Sequence, residues 1–269
     1  MKFGYCVSMG ASDAAGIGYE RIPVLKKLGF DYVELPVAQI MSMGEHAFRS
    51  GPMEMVKRCG LPCLRMNNFF PASYRLTGPE ADHDSALSYA QAAMERAARL
   101  GVEVIVFGSS GARNKPCGTA LQSGLDQLAS LLTHLAPLAE SFHITIAIEH
   151  LNKLESNLIN RFSEGCALAR QVNHKSVGVL LDTYHMNLAG EPLTSVLDGG
   201  GFLRHVHVAR TLGRTLPCPG DEEDYGLVFE TLKRIGYDGC VSLEAFAPKD
   251  FESETGTALA LLRSLAKHD

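Results

Sequence analysis

Four apolar segments of this sequence end on residues able to hold a cation or move a proton. IAIEH brings Glu149, VLLDTYH brings Asp182 and His185, HVHVA brings His205 and His207, and VSLEAF brings Glu244. Any one acid after an apolar strand reads most simply as a helix N-cap or an ion-pair partner. Four such ends in succession read differently, because the strand ends of a closed barrel converge on one axis. Three carboxylates and an imidazole gathered there would repel strongly without a cation. We therefore expect one divalent metal ion, held by Glu149, Asp182, His207 and Glu244. Three oxygen ligands and one nitrogen suit Mn²⁺ first, with Co²⁺ or Mg²⁺ as alternatives, whereas structural zinc favours sulfur-rich tetrahedra. His205 and His207 lie two apart and share a strand face, so periodicity cannot choose between them. Nearness to the carboxyl end favours His207.

The elements that must position these groups are legible as alternating short apolar runs and longer stretches of helical period. The strands are expected at Lys2–Ser8, Tyr32–Pro36, Pro62–Asn67, Val102–Gly108, Ile144–Leu151, Val177–Thr183, Leu203–Ala209 and Gly239–Phe246. Runs such as VEVIVFG, ITIAIE and VGVLLD are apolar on consecutive positions, which suits strands covered on both faces. Helices are expected at Tyr19–Leu28, Asp82–Leu100, Thr119–Glu140, Phe162–Val172, Tyr225–Ile235 and Ser253–Ala266, with weaker ones over Glu45–Arg58 and near Pro192–Leu197. Eight such units, with the long loops at 69–81, 109–118 and 211–224 all following strands, point to an α/β fold. The expected architecture is one (β/α)8 TIM barrel, a single catalytic domain over residues 1–269, with its site at the carboxyl end of the strands.

Composition narrows the function. The 269 residues carry 25 Lys+Arg against 30 Asp+Glu, a net charge of −5, and no dense basic stretch, so a nucleic-acid partner is not expected. No apolar run approaches the roughly 20 residues that span a bilayer. The opening MKFGYCVSMGASDAAG lacks a sustained apolar segment, so no membrane association and a cytoplasmic location are expected. Seven cysteines without a CxxC pair read as buried thiols and not as a disulfide framework.

In the segment Glu149-His-Leu-Asn152-Lys-Leu-Glu155, in Asp182-x-x-His185, in the second histidine of His205-Val-His207 and in Glu244, the chain resembles the metal-dependent ketose 3-epimerases. This is the group of D-tagatose 3-epimerase and D-psicose 3-epimerase, within the xylose-isomerase-like barrels. The family pattern E-x-x-N-R-F-E has Asn-Lys-Leu in its middle here. The resemblance implies that Glu149 and Glu244 are both metal ligands and catalytic acid/bases. It also implies that Glu155, His185 and an arginine bind a small sugar, and that the protein is a homo-oligomer, dimer or tetramer. Arg210 and Arg214 both compete for the arginine's role, and spacing before Pro219-Gly220 favours Arg214.

Epimerising the carbon beside a ketone requires one base on each face, passing through a cis-enediolate, and Glu149 and Glu244 can each act as base in one direction and acid in the other. The simpler alternatives are an exposed loop acid for Glu155, a structural imidazole for His185 and a solvated charge for Arg214. Gly108-Ser-Ser-Gly111 has the composition of a phosphate cradle, although no clean helix start follows it. Two rival activities share this architecture. One is an aldose-ketose isomerase of hydroxypyruvate or inosose type, and the other an apurinic-site endonuclease. The latter needs many histidine ligands and a basic surface, and strands three and four end here in Asn67-Asn68 and Gly108-Ser109.

Overall fold

A computed structural model describes residues 1–267. Eight parallel strands lie in it: β1 (Lys2–Tyr5), β2 (Val33–Pro36), β3 (Cys63–Asn67), β4 (Val104–Phe107), β5 (Thr145–Glu149), β6 (Val177–Asp182), β7 (Leu203–Val208) and β8 (Cys240–Leu243). They pair in sequence order from β2 to β8, β8 returns to β1, and a parallel bridge between Cys6 and Glu34 closes the ring beside β1 and β2. This is the expected (β/α)8 barrel.

Among the described residues, twelve α-helical segments connect and flank the strands. After β1 comes α1 (Ile22–Leu28); after β2 come α2 (Val37–Ser42), α3 (Glu45–Phe48) and α4 (Glu54–Cys59). β3 leads to α5 (His83–Leu100), β4 to α6 (Ser110–Arg113) and α7 (Leu121–Ser141), and β5 to α8 (Phe162–Val172). β6 leads to α9 (Thr183–Leu188) and α10 (Thr194–Gly199), β7 to α11 (Tyr225–Arg234), and β8 to α12 (Phe251–Lys267). Gly29 and Gly101 adopt φ +89° and +80° directly after α1 and α5, the left-handed turn expected from their place between helix and strand.

Several bounds differ from the sequence reading for local reasons. β1 stops at Tyr5, and the chain turns into a 3-10 segment over Val7–Gly10. The helix expected over Glu45–Arg58 is broken by a π turn at Arg49–Met53, which contains Pro52, a residue with no N–H to continue the ladder. The weak sixth helix is α10, and a short helix that the sequence pattern does not predict, α9, directly follows β6.

Alternation along the strands divides the core in two. One alternating set, which includes Ile146, Ile148, Val179, Leu181, Val206 and Val208, packs outward against the helices. The inward set includes a small apolar cluster of Val104, Val106, Ala147 and Leu180. Much of the remaining interior is polar and buried: Glu34, Asn67, Glu149, Asp182, His205, His207, Ser242 and Glu244. Gly4 leaves room for one ring inside the barrel, since a Cβ there would lie 2.3 Å from the Tyr32 side chain.

Candidate active site

β5 to β8 deliver their carboxyl-end residues to one point. His207 Nδ1 lies 3.3 Å from Glu244 Oε2, 3.5 Å from Glu149 Oε1 and 3.8 Å from Asp182 Oδ2. One donor atom from each of the four residues falls within 4.8 Å of all the others. Asp182 serves two purposes, because its Oδ1 accepts the His185 backbone N–H at 3.1 Å and caps α9, leaving Oδ2 turned to the cluster. Gly108, at the end of β4, makes space for Glu149: a Cβ there would stand 2.1 Å from Glu149 Oε2.

Beneath this ring lies a residue that the sequence reading passed over. Glu34 of β2 is fully buried between three neighbours. His207 Nε2 lies 3.0 Å from its Oε1, while His205 Nε2 and the Ser242 hydroxyl lie 2.8 and 2.6 Å from its Oε2. Tyr32 Oη in turn lies 2.7 Å from Ser242 Oγ. The two histidines thus share an inward face, as strand periodicity requires, with His205 one level below. The signal for Glu34 was present in the sequence, as a carboxylate flanked by Val33 and Leu35 in a strand covered on both sides.

Around the rim stand the other expected residues. The Arg214 guanidinium bonds Glu244, lies 3.6 Å from Asp182 and 3.7 Å from Glu155, and stacks 4.7 Å over the Tyr184 ring. Arg210 points elsewhere and pairs with Asp221 at 3.3 Å. His185 is buried, with Nδ1 facing Asn152 and Nε2 lying 3.9 Å from Asp182. Glu155 accepts from Asn152 Nδ2 at 2.9 Å. Asn67, at the end of β3, lies 3.4 Å from Glu244 through its Nδ2, and its buried Oδ1 has no partner. Cys6 Sγ approaches His207 Nε2 at 3.7 Å. Asn67, Cys6 and Glu34 are the residues that sequence reasoning missed.

The segment considered as a phosphate cradle has its groups bonded within the fold. Ser109 Oγ accepts the Phe70 N–H, and Arg113 is completely buried, donating to the carbonyls of Phe107, Glu149 and Leu158. These bonds tie the ends of β4 and β5 to the loop that carries Asn152 and Glu155.

The electrostatics follow from crowding acids in a low-dielectric site. Burial, and the charge of Glu244 beside it, push Glu149 up. Burial also pushes Asp182 well up, against the opposing pull of Arg214. Burial would raise Glu244 too, yet Arg214 and His207 outweigh it and hold its carboxyl well below the usual range. Burial, helped by the charge of Arg214, drops His185 to about 2, so its imidazole is neutral.

The donor set fits a divalent cation on the evidence of its own unpartnered atoms. Both His207 Nδ1 and Glu149 Oε1 are buried without a hydrogen-bond partner, and they face each other among carboxylates. Glu34 receives the other ring nitrogen of His207, the arrangement that turns the Nδ1 lone pair towards the acids. Arg214 supplies one positive charge to three carboxylates.

Comparison with known proteins gives four further findings. The profile of the family described as Xylose isomerase-like TIM barrel matches residues 22–265. A Ketose 3-epimerase of Arthrobacter globiformis is 27% identical over 257 residues, covering 95% of this chain and 86% of that protein. A D-psicose 3-epimerase of Ruminiclostridium cellulolyticum is 34% identical over 113 residues, covering 42% of this chain and 38% of its own length. The crystal structure of a D-allulose 3-epimerase from Methylomonas sp. in complex with D-allulose superposes with a TM-score of 0.85 at 23% identity, covering 98% of this chain and 96% of that one.

Proposed function

Because the chain belongs to the xylose isomerase-like TIM barrel family, we propose that it is a ketose 3-epimerase, a carbohydrate isomerase that inverts C3 of a free ketohexose or ketopentose. The observation that carries this reading is the meeting of two carboxylates, Glu149 and Glu244, at one imidazole. Its support includes the relatives named as ketose epimerases.

In this reading Glu149 and Glu244 are the two acid/bases: one removes the C3 proton and the other returns a proton to the opposite face, their roles exchanging with direction. A divalent ion held by Glu149, Asp182, His207 and Glu244, Mn²⁺ first and Co²⁺ or Mg²⁺ as alternatives, supplies Lewis acidity towards the substrate's carbonyl and neighbouring hydroxyl. His185 and Arg214 donate to the same oxygens, and Glu155 accepts a terminal hydroxyl. The reading extends to one catalytic domain acting in the cytoplasm as a homo-oligomeric dimer or tetramer, which sedimentation measures directly. Among the described residues no helix is long and apolar enough to cross a membrane.

The test is incubation of the purified protein and Mn²⁺ with a panel of free ketoses in deuterated water. Deuterium at C3 together with the 3-epimer is the expected result. An aldose product would replace this reading by the aldose-ketose isomerase, and nicking of an abasic duplex by the endonuclease.

A further inference from the structure

We propose that Asn152 is a positioning residue that fixes the tautomer of His185, so that the imidazole presents an Nε2–H donor to the substrate's oxygens. The inference rests on the ketose reading for what the donor meets, and on hydrogen-bond inventory for the donor itself.

The orientation of the Asn152 amide is settled by its surroundings. Its Oδ1 accepts the Leu154 backbone N–H at 2.9 Å, and its Nδ2 donates to Glu155 Oε1 at 2.9 Å. The second hydrogen of that NH2 group is free to meet His185 Nδ1, 2.9 Å away, and the Asn152 backbone N–H donates to the same nitrogen at 3.2 Å. Two donors aimed at one ring nitrogen need its lone pair. A neutral imidazole with its lone pair on Nδ1 carries its hydrogen on Nε2. That Nε2 is buried, has no hydrogen-bond partner and lies on the side of Asp182 Oδ2. A buried donor without a partner is costly, and a site that presents one is built to meet an acceptor.

The support is rigid. Asn152 is buried, and its own carbonyl accepts the backbone N–H groups of Glu155 and Ser156 at 3.1 and 3.0 Å. The His185 ring is flanked edge-on by Tyr184 and His150. One side chain therefore orients two groups of the rim, His185 and Glu155. Asparagine suits this place because it offers an acceptor to Leu154 and two donors at once. Aspartate is nearly identical in shape but offers only acceptors. At position 152 it would draw a hydrogen onto His185 Nδ1 and leave Nε2 without one in the neutral ring.

The experiment is long-range ¹H–¹⁵N spectroscopy of histidine-labelled protein without sugar, paired with turnover and Mn²⁺ titration. Wild type is expected to show neutral His185 with hydrogen on Nε2, and N152D to show a neutral ring with hydrogen on Nδ1. Turnover of N152D is expected to fall by about 10²-fold, the usual cost of one lost donor to a developing oxyanion. Its Mn²⁺ affinity should stay within roughly threefold of wild type, since Asn152 hydrogen-bonds His185, Glu155, Leu154 and Ser156 and none of the four cluster residues. N152A keeps the backbone donor and adds no charge; about a tenfold loss is expected, and it covers the case in which N152D does not fold. In an H185A background, N152D should cost little more. An Nδ1-protonated His185 in wild type, or an Nε2-protonated one in N152D, overturns the proposal. If the tautomers behave as stated and no ketose is turned over, the ketose reading fails while the assignment to Asn152 stands.

Discussion

Replacing Glu34 tests whether the layer beneath the cluster governs what the cluster binds. Glu34 is the acceptor for His207 Nε2 and for the Ser242 hydroxyl, and it touches His205 as well. Alanine would strand buried polar groups on three neighbours. At about 1–3 kcal/mol each the total is roughly 3–9 kcal/mol, comparable with the whole stability of about 5–15 kcal/mol of a typical domain. Glutamine is the better probe, since it keeps the volume and one acceptor. If its NH2 faces His207, two donors oppose each other and the ring is driven to place hydrogen on Nδ1, removing the lone pair that faces Glu149 and Glu244. If its NH2 faces Ser242 and His205, His207 keeps an acceptor but loses the partner charge that makes it a stronger ligand. Either way, E34Q should weaken Mn²⁺ binding by about 10–100-fold, or about 1.4–2.8 kcal/mol. Calorimetric titration of chelator-treated protein measures this, with unfolding monitored separately. Wild-type affinity in a folded E34Q protein would refute the argument that Glu34 orients His207.

Four other outcomes follow from the same geometry. E244Q should lose about 10²–10⁴-fold in turnover while still folding, because in the proposed scheme it removes one of two bases; retention of near wild-type rate would dismiss that scheme. G108A places a methyl 2.1 Å from the Glu149 carboxylate, so both Mn²⁺ affinity and turnover should fall, with circular dichroism unchanged. R214A should impair sugar turnover far more than R210A, since only Arg214 lies over the carboxylates; equal losses would contradict that assignment. His150 is buried, and burial outweighs the nearby Glu191 charge to lower it to about 4. A group depressed in the fold contributes stability above its unfolded value, and that stability is lost as pH falls. Relative to H150Q, wild type should therefore lose stability between about pH 6.5 and pH 4, by up to about 1.4 kcal/mol per unit. A gap in urea-unfolding free energy that does not change with pH would show that His150 titrates normally.

Much of the site was readable because its signals are local. Asp182 follows VGVLL, and Glu149 follows ITIAI. An acid directly after a strand buried on both faces stands out within a few residues. His207 was separable from His205 by its distance from the strand end, and the structure places them at two levels on one face, both touching Glu34. Arg214 was favoured over Arg210 by spacing alone, and in the fold Arg210 is turned to Asp221. Glu34 carried the same signal as the others, a buried acid among Val33 and Leu35. It was passed over because it lies within its strand and not at the end, where function was sought.

By itself the sequence determined the repeated strand-helix pattern, and hence the barrel, and the residues that cap four successive strands. Both depend on periods of two and about 3.6 residues within short windows. Only the tertiary structure decided which groups meet: Glu34 beneath His207, separated by 173 positions, Asn67 beside Glu244, Gly108 against Glu149, and the Asn152 amide on His185. Those contacts are set by the register and stagger of strands around the ring and by where each loop folds back over the mouth. Register is a relation between distant segments, and no local window of sequence contains it.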